Sequence, residues 1–472
     1  MNFQLRFLGA AESVTGSRHL LEFNHTKVMV DCGLYQERDL QYRNWEDFGV
    51  HPADVDAILL THAHLDHCGL LPKFVKEGFK GKIFCTEATA QLAKIVLADA
   101  GKIQEEDAEF KRKRHKKANY TPPRPVEPLY TIQEAEACFP MFKAVAFEET
   151  VSVADGIKVS FHQGGHILGS SIIQIVLSFN GQNRTVLFTG DLGRVGKPIL
   201  KDPAVFDKAD YILVESTYGD RQHTSTEDTK EQLYQAVIDT INAGGNIVVP
   251  SFSIERSQEV LYYMNELLME DRIPHIMTFL DSPMAVKVTD VFKKHPELYD
   301  AQMARLMEQN ESPFSFRGLK LIESTRESKA INHIRGTVMI IAGSGMCTGG
   351  RIKHHLVNNI TRPESTILFV GYQASGTLGR TILDSKPGQE VRILGQMYPV
   401  RAKIVRVHGF SAHADREEIL AWLKNFKTPP KKIFIVHGEK ETSESFKDYL
   451  IQQTGWSVMV PKYQDVVKIN GI

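Results

Sequence analysis

The stretch "VDAILLTHAHLDHCG", residues 55 to 69, runs an apolar segment directly into His62, His64, Asp66 and His67. A short apolar run of this kind reads as a buried strand, so the residues after it are carried to the edge of an interior sheet. A lone histidine there is easily a satisfied polar group. Four metal-capable side chains brought in together are harder to place, because buried polar groups need partners. A metal ion serves all of them, since imidazole nitrogen and carboxylate oxygen are both zinc ligands.

Three more segments share this form, a strand running into a polar turn. They are "FHQGGHILGSS" with His162 and His166, "LFTGDLG" with Asp191, and "FIVHGE" with His437. Each alone is weak, because strand ends commonly carry an Asp cap or a satisfied His. Together with the opening stretch they hold enough nitrogen and oxygen donors for two zinc ions. A carboxylate shared between two ions holds them roughly 3.5–4 Å apart, the spacing used for displacement at phosphorus. Asp31 in "VDCG" either orients a ligand histidine from behind or serves as a turn residue before Gly33; spacing alone leaves both open.

The totals set bounds. A chain of 472 residues calls for two or three domains. Lys and Arg number 56 against 57 Asp and Glu, a net charge of -1, so overall basicity does not announce nucleic acid and a polyanion must be held by local features. The five scattered cysteines include no C-x-x-C pair and suit a reducing cytoplasm. The first residues do not read as a signal peptide, and no window is apolar for long enough to span a bilayer.

Along the chain, short strands ("FQLRFLG", "RHLLEF", "KVMVDCG", "DAILLTH") give way to a helix from Glu87 to about Lys117 that ends in "KRKRHKK" before the breaker "TPPRPVEP". Strands resume through "DYILVEST". After Tyr218, helices (226–243, 254–269, 283–293) alternate with the apolar strands "NIVVPS", "TVMIIAGSG" and "TILFVGY", the pattern of a doubly wound parallel sheet. Near residue 401 the strand-rich pattern of the first 216 residues returns with "RAKIVRVHGF" and "KKIFIVHGE". The expected domains are therefore 1–216, an insert at 217–400, and 401–472.

"THAHLDH" matches the H-x-H-x-D-H signature of the metallo-β-lactamase superfamily, and Asp31, His166 and Asp191 match its other metal-site motifs. "VESTYGD" with Glu215, "GFSAHAD" with His413 and "IVHGE" with His437 resemble the three extra motifs of the β-CASP branch, which comprises RNA- and DNA-processing nucleases such as ribonuclease J and the cleavage and polyadenylation endonuclease. The resemblance implies an α/β fold, an αββα sandwich with an inserted doubly wound β-CASP domain and an RNA-specificity segment at the end. It implies two zinc ions: His62, His64 and His166 on one, Asp66, His67 and His437 on the other, Asp191 bridging. His413 is then the general acid, Glu215 its orienting carboxylate, and Asp66 is counted with the catalytic residues. Single-stranded RNA is the implied partner, lying between the domains; no membrane is expected, and a homodimer is compatible.

Phosphate contacts are sought in the insert: "PSFSIERSQE" is expected to start a helix with Ser251 and Ser253, "AGSGMCTGGR" with Ser344 to run from a strand through a glycine-rich turn into a helix, and "YQASGTLGR" to add Ser375, Thr377 and Arg380. Free N–H groups at such turns favour anions, although serine caps and glycine turns also close ordinary α/β loops. "KRKRHKK" reads as a solvated helix face or an RNA-contacting strip. The reading is a zinc ribonuclease acting endonucleolytically, an expectation resting on the lack of a long extension after Ile472. Its rivals are a 5′-to-3′ exoribonuclease, a hydrolase of small esters or lactams, a DNA nuclease and a non-catalytic RNA-processing subunit.

Overall fold

A computed structural model describes residues 3–122, 125–223, 226–374 and 376–469. The chain forms two compact units: 1–195, 202–222 and 412–472 make the first, and 196–201 with 223–411 make the second.

The first unit is built on two seven-stranded sheets, one containing strands Phe3–Phe7, His19–Phe23, Thr26–Val30 and Ala57–Leu59, the other Ile157–Gln163, Ser171–Phe179, Gln182–Phe188, Tyr211–Glu215 and Lys432–Val436. Their facing surfaces share one core: Leu5, Phe7, Leu21 and Val30 from the first sheet meet Val159, Ile175, Phe188, Leu213 and Phe434 from the second. The period-two alternation of a strand explains why the second sheet reads as continuously apolar. Leu213 and Phe434 point into that core, while Ile212, Val214, Ile433 and Ile435 point the other way, into a second cluster with Leu420, Leu423, Phe446 and Leu450. Those last four lie on helices Arg416–Leu423 and Lys440–Thr454. Burying each Leu, Ile or Phe is worth about 1.5–3 kcal/mol, so both faces are committed and the register is firm. Helices outside and sheets inside give the expected αββα sandwich.

The second unit holds a six-stranded sheet in which every pairing is parallel, in the order Leu319–Leu321, Met277–Leu280, Val338–Ala342, Ile247–Pro250, Thr366–Phe369, Lys403–Arg406. Helices Thr226–Ala243, Arg256–Met269, Pro283–Lys294 and Ile352–Asn359 alternate with these strands, as the insert's sequence pattern predicts.

Two expectations are corrected. The chain rejoins the first unit at 412, not at 401. Lys403–Arg406 pairs in parallel with Thr366–Phe369, and Ile404 packs on the cluster of Ile367 and Phe369, so "RAKIVRVHGF" completes the second unit's sheet. Nor do Ser251 and Ser253 open a helix. The helix starts at Arg256, and its N-cap, Glu255, takes a left-handed backbone with φ 62°. No helix among the described residues is long and apolar enough to cross a membrane.

Candidate metal centre

The polar candidate residues gather at one edge of the first unit because their strands all end there. Ala57–Leu59 delivers Thr61 to His67, Ile157–Gln163 leads to His166, Gln182–Phe188 to Asp191, Tyr211–Glu215 ends on Glu215, and Lys432–Val436 hands over to His437. Thr26–Val30 ends at Asp31. Glycine lets these turns touch. A Cβ on Gly33 would sit 1.6 Å from the Asp66 carbonyl oxygen, and one on Gly193 would sit 2.0 Å from the Gly165 carbonyl.

Donor atoms of His62, His64, His166 and Asp191 lie within 4.8 Å of one another, as do those of Asp66, His67 and His437. Asp191 stands between the groups. Its Oδ2 is 3.3 Å from both His62 Nε2 and His166 Nε2, while its Oδ1 is 3.1 Å from His67 Nε2 and 3.4 Å from His437 Nε2. Asp66 Oδ2 is 3.4 Å from His437 Nε2.

Surrounding groups orient the rings. His67 Nδ1 lies 2.7 Å from Asp31 Oδ2, which places a proton on Nδ1 and turns the Nε2 lone pair inward. Asp31 is itself fixed by the Thr61 N–H at 2.8 Å and by the Thr61 hydroxyl. The Thr217 hydroxyl is 3.0 Å from His437 Nδ1, and the Ser170 hydroxyl accepts from the N–H groups of His166 and Ile167. Asp31 and His437 both have positive φ, 60° and 53°, an uncommon backbone state for such residues that recurs at functional sites.

The donor chemistry fits a metal. His67 Nε2 and His437 Nε2 approach to 3.1 Å, and His62 Nε2 and His64 Nδ1 to 3.1 Å. Inward-facing imidazole lone pairs repel one another unless a proton or a cation lies between them. Asp191 Oδ1, although close to two rings, and His166 Nδ1 have no hydrogen-bond partner among the described residues. Burial, reinforced by His67, pulls His62 down to about 3, and burial pulls His64 to about 4 and His166 well below the usual imidazole range. These rings are therefore neutral, the form that ligates. Burial also lowers His67 and His437, but the Asp191 carboxylate, with Asp31 at His67 and Asp66 at His437, outweighs it and raises both. Those carboxylates attract a proton or a metal cation alike.

His413 adjoins the cluster, its ring 4.5 Å from that of His166. Its Nδ1 is 3.0 Å from both oxygens of Glu215, which is wholly buried and accepts from the Leu192 N–H at 2.6 Å and the Thr217 N–H at 3.3 Å. Burial opposes charge on His413, yet Glu215 and then Asp191 raise it to about 9. His162 stands apart: it pairs with the Ser160 hydroxyl at 2.9 Å and packs on Phe206.

In the second unit, the hydroxyls of Ser251 and Ser257 are 3.1 Å apart, and those of Ser253 and Ser282 3.3 Å apart. The Ser344 hydroxyl accepts from the Thr348 N–H at 3.0 Å. Arg380 is exposed and pairs with Asp384 at 2.5 Å one turn along its own helix, while Thr377 caps that helix. Ser375 lies outside the described residues. Sequence reasoning missed Thr61, Thr217 and Ser170; all three fall inside the motifs that carry the candidate ligands, where their hydroxyls are the only signal.

The profile of the metallo-beta-lactamase superfamily matches residues 19–251, that of the Beta-Casp domain 257–382, and that of the Zn-dependent metallo-hydrolase RNA specificity domain 397–461. A ribonuclease of Thermus thermophilus is 36% identical over 92% of this chain and 92% of its own. A transcription termination factor of Methanocaldococcus jannaschii is 28% identical, covering 99% of this chain and 72% of that protein, and an RNase J-like protein of the same organism is 29% identical over 94% of each. A solved structure of a protein of unknown function from Enterococcus faecalis matches with a TM-score of 0.56 over 99% of this chain and 100% of that one, at 11% identity, which speaks to fold alone. With those profiles laid over the histidine–aspartate centre just described, the chain belongs to the β-CASP branch of the metallo-β-lactamase superfamily and is a metal-dependent nuclease of that family.

Proposed function

We propose that this protein is a two-zinc ribonuclease that cuts phosphodiester bonds within RNA chains. The observation that carries the reading is the division of Asp191, one oxygen toward His62 and His166 and the other toward His67 and His437. His62, His64 and His166 would hold one ion, and Asp66, His67 and His437 the other. Bound zinc supplies Lewis acidity, lowering the pKa of water and offsetting charge on the phosphoryl oxygens. The chain's own residues do the rest. Asp31 and Thr61 hold His67 in the ligating tautomer, and Thr217 does the same for His437. His413, kept protonated by Glu215, donates to the departing ribose oxygen as general acid. The RNA-specificity profile and the ribonuclease relative favour RNA over DNA.

Internal cleavage is favoured over 5′-to-3′ removal. Arg380, the cation sought beside the serine turns, is paired with Asp384 on its own helix, a weak exposed contact that a terminal phosphate would have to displace. The test is digestion of one RNA bearing 5′-monophosphate, 5′-triphosphate or 5′-hydroxyl, alongside DNA of the same sequence, by zinc-loaded protein. Internal fragments indifferent to the 5′ group are expected. Mononucleotides released first from the monophosphate RNA would overturn the endonuclease reading, and equal cutting of DNA would overturn the RNA preference.

A further inference from the structure

The metal centre leaves one conspicuous feature of the first unit unused, the far end of helix Glu87–Lys117. The helix starts against the His166 loop: the hydroxyls of Thr86 and Thr89 both donate to the Gly169 carbonyl, at 2.7 and 2.8 Å. Its first turns are buried through Leu92, Ala93, Val96, Leu97 and Ala100. Beyond Ala108 every residue through Lys117 is exposed except His115, which is half-buried. At 1.5 Å per residue, Lys111 lies roughly 37 Å along the helix from Thr86.

This exposed end is strongly one-signed. Lys111, Arg112, Lys113, Arg114, Lys116 and Lys117 occupy it, and no Asp or Glu follows Glu109 until Glu127. Lys113 pairs with Glu109 at 2.6 Å, and Arg112 donates to the Val126 carbonyl at 3.2 Å. Lys111, Arg114, Lys116 and Lys117 have no carboxylate partner among the described residues. Two aromatic rings accompany the charge: Phe110 is 66% exposed and Tyr120 54% exposed, with Tyr120 set edge-on to His115 at 5.0 Å. Phe110, Lys113, Arg114 and Lys117 recur at helical spacing and so share a face. Cations interleaved with open aromatic rings are what a single-stranded nucleic acid recognises, by phosphate neutralisation and base stacking.

We propose that the face of Phe110, Arg114 and Lys117, flanked by Lys111 on one side and Lys116 on the other and with Tyr120 beyond the helix end, forms a second RNA-contacting surface, which holds substrate at a distance from the bond being cut. The inference rests on the ribonuclease reading and adds to it. RNA long enough to reach from the metal centre to the helix end gains affinity there, whereas a short oligonucleotide gains none. The surface sets KM for long RNA and leaves the chemical step alone.

The test compares the zinc-loaded wild type with a Lys111→Gln, Arg114→Gln, Lys116→Gln, Lys117→Gln variant and with Phe110→Ser. Each is given a single-stranded RNA of about 30 nucleotides and one of about 5, near the lower end of single-strand site sizes. For the long RNA the charge variant should raise KM at least about tenfold with kcat unchanged, and flatten the slope of log affinity against log salt by about 3, four contacts at roughly 0.7 each. Values for the short RNA should not move. A charge-conserving variant (Lys→Arg and Arg→Lys at the same positions) should behave as wild type, which separates charge from folding. Unchanged KM and salt slope on the long RNA would overturn the proposal and leave Phe110 and Tyr120 to a protein partner. Anisotropy of the same RNAs without turnover keeps the two readings distinguishable: a wild type that cuts neither RNA refutes the ribonuclease reading, and the binding difference still tests the surface.

Discussion

Asp31→Asn isolates the support behind the metal ligands from the ligands themselves. The carboxylate makes two kinds of contact at once, accepting from Thr61 N–H at 2.8 Å on one oxygen and facing His67 Nδ1 at 2.7 Å with the other. Asparagine replaces one acceptor by a donor. With the amide nitrogen toward His67, the ring must move its proton to Nε2, the atom that faces the metal position. With it toward Thr61, two donors confront each other in a site only 2% exposed. Either arrangement forfeits a charge-assisted hydrogen bond, about 1.5–3 kcal/mol. At 1.4 kcal/mol per factor of ten this is roughly 10- to 100-fold in metal affinity, in line with losses seen for groups behind metal ligands. Asparagine tolerates the left-handed backbone at this position, φ 60°, so the fold is not the reason for the loss. Zinc titration against a chelator of known affinity should therefore show the site of Asp66, His67 and His437 falling by that factor, with the site of His62, His64 and His166 changed much less. Two sites weakened equally, or neither by more than about threefold, would refute this account of Asp31.

His413→Ala should retain its metals and lose about a hundredfold or more in kcat, as expected for removal of a general acid, while His437→Ala should lose metal as well; elemental analysis beside single-turnover rates tells them apart. With His413 raised to about 9 and proposed to act protonated, kcat should fall as pH rises, with the limb at or below that value since bound cations disfavour its charge, and Glu215→Gln should move the limb lower. Zinc uptake should release protons mainly at His67 and His437, whose carboxylate neighbours raise them, and hardly at His62, His64 and His166, which are already neutral; calorimetry in buffers of different ionisation enthalpy reads this directly. Gly33→Ala must displace the Asp66 backbone, so a loss of zinc together with a lower melting temperature is expected, and a stable, fully loaded variant would show that the turn yields cheaply.

The parts legible in the sequence are those whose information is local. Strand followed by polar turn is a contiguous pattern, so His62, His64, Asp66, His67, His166, Asp191 and His437 could be picked out one segment at a time. The helix Glu87–Lys117 was readable for the same reason, and so was the alternation of strand and helix in the insert. Allegiance between segments was not. "RAKIVRVHGF" has the pattern of a strand in either unit, and only the packing of Ile404 on Ile367 and Phe369 decides which sheet takes it. Hydroxyl groups were invisible in the same way: Thr61, Thr217 and Ser170 matter because of where Asp31, His437 and His166 come to rest.

His162 and His166 make the distinction concrete. Both lie in the segment "FHQGGHILGSS", and composition does not separate them. His162 still belongs to the strand Ile157–Gln163, so pleating sends it to Ser160 and Phe206 on the face away from the cluster. His166 comes after the strand has ended, where the left-handed Gly165, φ 68°, and the Ser170 hydroxyl fold the loop back toward Asp191. A histidine inside a strand inherits its direction from the pleat, whereas one past the end takes it from a turn. Every member of the two donor groups around Asp191 lies past a strand end, whereas His162 lies within a strand. The position of the strand terminus, more than the number of histidines near it, therefore decides which side chains a metal can gather.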